Sequence, residues 1–430
     1  MSAAPIDRSA AALHRSPWPA EDGGPRRLQV PATATVGWPN RDGLDLRVRH
    51  REAFGTTMTV LRDPGEVYVL RHGFGDDAPS WVERIDPVTL DVVERSPDLP
   101  GGPMWPGGVA AHADGSLHVV FGNHAHRLSS GLAVEASATL PRVRPYNSFV
   151  TLPDGYLVTK DFSGRRATQA EDEPREPAEL LVLDPTTLAV VASLVLPEPS
   201  IARLSADGDD VYVVGDTSLL RVRWDPDART LTLDEGLVAP YRTRPGQTYG
   251  WDAVIALGAA WFLDDGEGTH RFNGSFRGQG ISTDPLHVVR VDLATGAVTL
   301  TEVCGRPGGL IANPPVVDDA RRIVVGYDSG NGVVTAFDVA DDGSLTQRWR
   351  RDQDHACHPL LFPDTGVLVT ADHDAERTVD HVVALDVETG AERGRAEAGS
   401  PLQSVVFPAV GWDGDVYYAS MSTLARVTVA

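Results

Sequence analysis

The chain has 430 residues, 42% hydrophobic and 23% charged, a balance that fits a folded globular protein and excludes extended disorder. Its 38 Lys and Arg against 60 Asp and Glu leave a formal charge of −22, which repels phosphate backbones and argues against nucleic acid as a partner. Two cysteines, Cys304 and Cys357, exclude a disulfide framework, and no run of 18 apolar residues is present to span a membrane.

Residues 1–43 carry Pro, Ala, Arg and Asp without the apolar stretch of a secretory signal, and read as a flexible N-terminal tail on a cytoplasmic protein. Leu44 to Glu52 then alternates as a half-buried strand does. From there one strand–turn–strand unit recurs. Gly65, Gly115, Gly155, Gly208, Gly258, Gly366 and Gly414, with Asp318-Asp319 in the sixth unit, mark hairpin turns ahead of β-rich runs such as Val67 to Leu70 and Val416 to Tyr418. Their mean spacing is about 50 residues, the period of propeller blades.

In most units a third run ends on an acid, as in Ser80 to Asp86, Leu180 to Asp184, His287 to Asp292, Val333 to Asp338 and His381 to Asp386. A turn and a fourth run follow. Asp86-Pro87-Val88-Thr89-Leu90 and Asp184-Pro185-Thr186-Thr187-Leu188 nearly coincide two units apart. Asp292-Leu293-Ala294-Thr295-Gly296 and Asp386-Val387-Glu388-Thr389-Gly390 carry the same turn in glycine form. The last unit offers three strands, near Gln403 to Phe407, Val416 to Ser420 and Leu424 to Val429. Leu44 to Glu52 is expected to complete it and close the ring, which removes exposed sheet edges. The fold class is therefore all-β: a single β-propeller over residues 44–430 with eight four-stranded blades, seven being the alternative if the 106–140 unit is irregular.

These repeats, a β-run, an Asp, a Thr-Gly or Pro-containing turn and another β-run, resemble those of the quinoprotein-like (PQQ-repeat and YVTN-type) β-propeller superfamily over about residues 44 to 430. The resemblance implies the fold; propellers host many unrelated functions. The Trp residues expected near the repeat ends of PQQ enzymes are mostly missing, and so is the adjacent cysteine pair of many PQQ alcohol dehydrogenases. Both departures argue against bound PQQ.

In a propeller the innermost strands begin, and the second strands end, at one mouth of the central channel. Reading those positions collects His72, His124, His358 and His373 with Asp252, Asp264 and Asp372 as candidate acid/base groups, and Trp105, Tyr146, Asn147, Arg203, Trp251 and Gln403 as candidate ligand contacts. Asp after a strand is a common turn residue, whereas His has no such preference. Neutral imidazoles beside a carboxylate can hold a divalent metal, for which His124, His358 and His373 are the candidates, or move protons. No HExxH or other metal-ligand spacing occurs. His126, His287 and His381 begin third strands and read as structural or exposed.

Two connections, Asp161 to Ala178 and Asp264 to Leu286, far exceed hairpin length and emerge at the same mouth; such loops often cover binding sites. P-loop, Rossmann and GxSxG signatures are absent. The leading expectation is an enzyme acting on a small molecule at this mouth by metal- or acid/base-assisted chemistry, in the hydrolase, lyase or isomerase range. A non-catalytic propeller that binds a protein or ligand is the alternative, and a PQQ-type oxidoreductase the third reading.

Overall fold

A computed structural model describes residues 11–164, 174–269, 272–403, 405 and 407–430. It is a ring of eight antiparallel sheets. The innermost strands, in blade order, are Thr56–Leu61, Gly108–Ala111, Tyr146–Thr151, Ser205–Asp207, Val254–Ala256, Val316–Asp318, Leu360–Phe362 and Ala409–Val410. Each is followed outward by a second, third and fourth strand, and the 106–140 unit is a regular blade. Eight is the count. Blade 1 carries one extra strand, Leu99–Gly102, paired to its third strand, Ala78–Ile85.

Blade 8 closes as expected. Leu46–Glu52 pairs antiparallel with Thr423–Val429, with Leu46 opposite Val429 and Glu52 opposite Thr423. Its innermost strand is Ala409–Val410, later in the chain than the Gln403 to Phe407 run expected from sequence. Gln403 and Phe407 belong instead to the approach segment, whose aromatic residue is useful at the mouth rather than in the sheet.

Burial follows strand rank. Inner and second strands are buried on both faces, because each blade packs against two neighbours, as in Val67–His72 and Leu117–Phe121. Fourth strands alternate intermediate and exposed residues, as in Val190–Val195. Between third and fourth strands, Asp86, Asp184, Asp292 and Asp386 each accept a hydrogen bond from the backbone N–H three residues on. The residue after that takes a left-handed conformation in all four turns: Leu90, Leu188, Gly296 and Gly390, with φ of 64, 60, 71 and 69°. The Asp clamp holds this geometry even where leucine occupies the strained position.

The N-terminal segment departs from expectation. Residues 11–43 are hydrogen-bonded against the ring, with their buried side chains concentrated between 12 and 29, and are not a loose tail. Backbone and side-chain hydrogen bonds take this stretch past the inner strand of every blade. Leu61 N–H donates to Trp18 O, Ala111 N–H to Pro19 O, Ala206 N–H to Pro25 O, Ile255 N–H to Arg26 O and Leu361 N–H to Gln29 O. Arg27 reaches Ser148, Gln29 donates to Pro315 O, and Trp38 Nε1 donates to Gly414 O. These contacts complete the circuit from blade 1 to blade 8. They meet Leu61 and Ala111 at the last residues of their inner strands, and Ala206, Ile255 and Leu361 at the middle of theirs. The physical reason is that inner-strand edges leave backbone groups facing the channel, and a buried polar group needs a partner.

Candidate functional site

At the mouth lies a half-enclosed cavity of about 280 Å³. Its walls include Met104, Trp105, Trp251, Phe272, Phe276, Phe407 and Met421, and its polar side chains are Arg203, Thr269, Asn313 and His358. Most of these residues come from approach segments just before the inner strands, where the chain enters the ring with side chains free to face the axis. Trp105 stacks on Phe162 at 4.4 Å between ring centroids. Phe407 lies 4.0 Å from the His358 ring and 4.3 Å from the Arg203 guanidinium carbon.

The connection from Asp264 to Leu286 crosses the mouth and supplies Phe272 and Phe276. Blade 8's approach pins it: Phe276 N–H donates to Gln403 Oε1 at 2.7 Å and Gln403 N–H to Gly274 O at 2.8 Å. Arg277 Nε donates to Asp354 Oδ1 at 2.7 Å. The loop is a seated cover. The central part of the other long connection, 165–173, lies outside the described residues, as do His270 and Arg271 in the cover.

Beneath the cavity is a buried ion network built largely by the N-terminal segment. Arg27 donates to Glu21 at 2.6 Å, to Asp22 at 2.7 Å, to Leu204 O at 2.7 Å and to Ser148 at 3.0 Å. Arg203 donates to Glu21 at 2.7 Å and to Pro106 O at 2.9 Å. His358 Nδ1 donates to Asp22 Oδ1 at 2.7 Å. Asp252 accepts the Arg203 N–H at 2.6 Å through Oδ1, while its Oδ2 is buried without a partner among the described residues. Burial pushes the Asp252 carboxyl up, against the pull of Arg27, Arg203 and His358. Burial works the same way on Glu21, but Arg203 and Arg27 overcome it and hold that carboxyl below its ordinary range.

Of the residues expected from sequence, Trp105, Arg203, Trp251 and His358 meet in the cavity, with Asp252 below them and Gln403 holding the cover. The others do not converge. His72 donates from Nδ1 to Gly73 O and stacks on Phe121; His124 donates to Gly101 O and stacks on His126. His373 is buried 3.8 Å from Asp380. Asp264 accepts from His287 Nδ1 and Gln247, and Asp372 pairs with Arg395 at the surface. Tyr146 is buried in blade 3, its hydroxyl accepting from Arg142 N–H. Asn147 donates to Ile201 O. His126, His287 and His381 are all buried. Strand-end position alone does not aim a side chain at the axis, since alternate residues face the blade interfaces.

His124, His358 and His373 therefore do not form one ligand set. Among the described residues no group of three or more His, Cys, Asp or Glu is placed to hold a metal ion. Sequence reasoning missed Glu21, Asp22 and Arg27, and took Phe407 for a strand residue, whereas Phe272 and Phe276 belong to the connection expected to cover the mouth. A signal existed: Trp18 and Trp38, two of the chain's nine tryptophans, lie in the stretch read as a tail.

No family model matches the sequence, and no curated protein does. Solved structures do. The quinohemoprotein alcohol dehydrogenase ADHIIG from Pseudomonas putida HK5 superimposes with a TM-score of 0.60 at 10% identity, covering 99% of this chain and 83% of that one. BamB from Moraxella catarrhalis gives 0.51 at 11% identity, covering 88% and 100%. Sqt1 from Chaetomium thermophilum gives 0.54 at 14%, covering 85% and 93%. The chain is thus an eight-bladed β-propeller with a covered, aromatic-walled cavity at one channel mouth. At 10–14% identity these likenesses show the fold alone.

The described residues of the cavity do not fit PQQ. A quinone bearing several carboxylates needs several cations. Arg203 is the one cation among the described cavity-lining residues, and Glu21 already neutralises it. Cys304 and Cys357 are both free thiols at separate places, with no adjacent pair.

Proposed function

We propose that this protein binds a small molecule with a flat, largely apolar body in the covered cavity, and that His358 exchanges a proton with it. The observation that carries the reading is the joining of five aromatic side chains with one imidazole around a single space of about 280 Å³. Aromatic walls recognise a planar apolar body through burial and stacking. With Nδ1 committed to Asp22, Nε2 is the ring nitrogen left to accept or donate a proton at a ligand atom. Asn313 and Arg203 orient a single polar group, and the neutralised Arg203 favours a carbonyl or hydroxyl over a multiply charged anion. This supports acid/base chemistry of the lyase or isomerase kind on a neutral ring compound.

The test is a panel of bicyclic aromatic ketones, phenols and amines, followed by ligand-observed NMR. Binding to the wild-type protein and its loss in Ala312→Trp, which fills the cavity from its wall, supports the reading. Equal binding to both proteins, or to neither, overturns it. Turnover of a bound member that disappears in His358→Gln then separates catalysis from binding alone.

A further inference from the structure

We infer that Asp22 is the positioning residue that fixes which nitrogen of His358 carries its proton, so that the N-terminal circuit completes the site instead of merely plugging the channel. The inference rests on the proposed role of His358, and it concerns a residue that the chain delivers from 336 positions away.

Three observations converge on it. The first is the bond itself: Asp22 Oδ1 lies 2.7 Å from His358 Nδ1, and both side chains are 1% exposed. A carboxylate can only accept, so the Nδ1 proton is held there and Nε2 is left as the basic nitrogen. The second is how Asp22 is held. Its other oxygen is taken by Arg27 Nη1 at 2.7 Å, and Arg27 is itself fixed by Leu204 O and Ser148. Neither carboxylate oxygen is free to turn. The third is backbone geometry. Asp22, Arg27 and Gln29 all take left-handed φ, at 52, 55 and 59°, within one short segment. Gly23 follows at φ 82°, where an added Cβ would stand 2.4 Å from Val30 O. Non-glycine residues in that region cost energy, and strain of this kind collects where a side chain must be aimed. Tail packing alone has no need to aim Asp22 at the cavity floor; the segment does so at a cost.

Asp22→Asn tests the idea without changing side-chain shape. Asn has one oxygen, and the Arg27 cation claims it. The amide NH2 must then face His358 Nδ1, which can accept only by moving its proton to Nε2. The readout is the 15N spectrum of histidine-labelled full-length protein at pH 8, with the His358 signal assigned by its loss in His358→Gln. The expected result is an Nδ1–H tautomer in the wild type and an Nε2–H tautomer in Asp22→Asn, with near-UV circular dichroism unchanged. An Nε2–H tautomer in the wild type, or an unchanged tautomer in Asp22→Asn, overturns the inference. Asp22→Ala supplies a second reading: it removes the acceptor, and persistence of the Nδ1–H form there also overturns it. No ligand enters these measurements, so failure of the binding panel and failure of this inference are separate outcomes.

Discussion

Asp22 and His358, 336 residues apart in the chain, share a 2.7 Å hydrogen bond on the floor of the cavity. The bond joins the N-terminal segment to blade 7's approach, and Arg27 sits behind it with donors to both Glu21 and Asp22. Loss of Arg27 would take one cationic partner from two buried carboxylates at once, leaving Glu21 with Arg203 and Asp22 with His358.

Arg27→Met, which keeps the length and removes the cation, should destabilise the protein by about 3–5 kcal/mol at pH 7. Arg27→Lys should recover only part of this, because an ammonium cannot serve Glu21, Asp22, Leu204 O and Ser148 from one planar fork. Chemical denaturation of the three proteins reads the order. A lysine variant as stable as the wild type would show that the fork geometry does not matter.

Acid should weaken the fold through His118. Burial lowers its pKa from 6.5 to about 4, against the opposing bond to Pro185 O. In the unfolded chain the imidazole takes a proton near 6.5; in the folded protein it resists until about 4. The unfolded state thus binds more protons between those values, so this contribution is complete above pH 6.5 and is lost as pH falls toward 4. His118→Gln retains an N–H for Pro185 O and cannot titrate. Its stability relative to wild type should improve by up to about 3 kcal/mol between pH 7 and pH 4. Parallel pH–stability curves for the two proteins would contradict this.

Asp265 behaves with the opposite sign. It is buried at a left-handed φ of 62°, its Oδ2 has no partner among the described residues, and burial together with Asp264 and Asp328 raises its pKa. The folded protein therefore keeps this proton after the unfolded chain has released it. That contribution is complete below the ordinary carboxyl value near 4 and is lost as pH rises toward the raised folded value. Asp265→Asn is neutral throughout. It should match the wild type near pH 4 and gain about 1.4 kcal/mol for each pH unit above that, until the wild-type carboxyl ionises. Thermal melts at pH 4, 6 and 8 would show the widening gap, and a constant gap would refute the assignment.

The cover should loosen when Gln403 is removed. Gln403→Ala takes away the acceptor for Phe276 N–H and the donor to Asp354 O. The net worth of these bonds is about 1–2 kcal/mol. Amide exchange at Phe276 should accelerate roughly ten-fold, with the blade strands unchanged. Acceleration spread evenly over the blades would mean that Gln403 holds the ring, not the cover.

The blades were legible in the amino-acid string because each repeats the same local requirements. An Asp that clamps the turn at Asp86, Asp184, Asp292 and Asp386, a left-handed residue four positions on, and apolar alternation inside each strand are all short-range. Ring closure by Leu46–Glu52 was legible for the same reason: a lone alternating strand before a three-stranded last unit has one place to go. Half of the cavity was legible too. Trp105, Arg203, Trp251 and His358 stand just before inner strands, and topology alone brings those points to one mouth.

The N-terminal circuit was not. Its bonds run mainly to backbone atoms of eight blades, and a backbone carbonyl has no identity in a sequence. Nor could position separate His358 from His72, His124 and His373, all of them at strand ends or approaches. The sequence by itself determined the scaffold and the face on which a site would form, since both follow from periodic, local rules. Only the tertiary structure decided that His358 faces the cavity while the other three turn into the blades, and that Asp22 stands behind it. The Asp22 contact joins segments 336 residues apart in a channel that exists only once the ring has closed, and the other three orientations rest on side-chain packing that strand position does not encode.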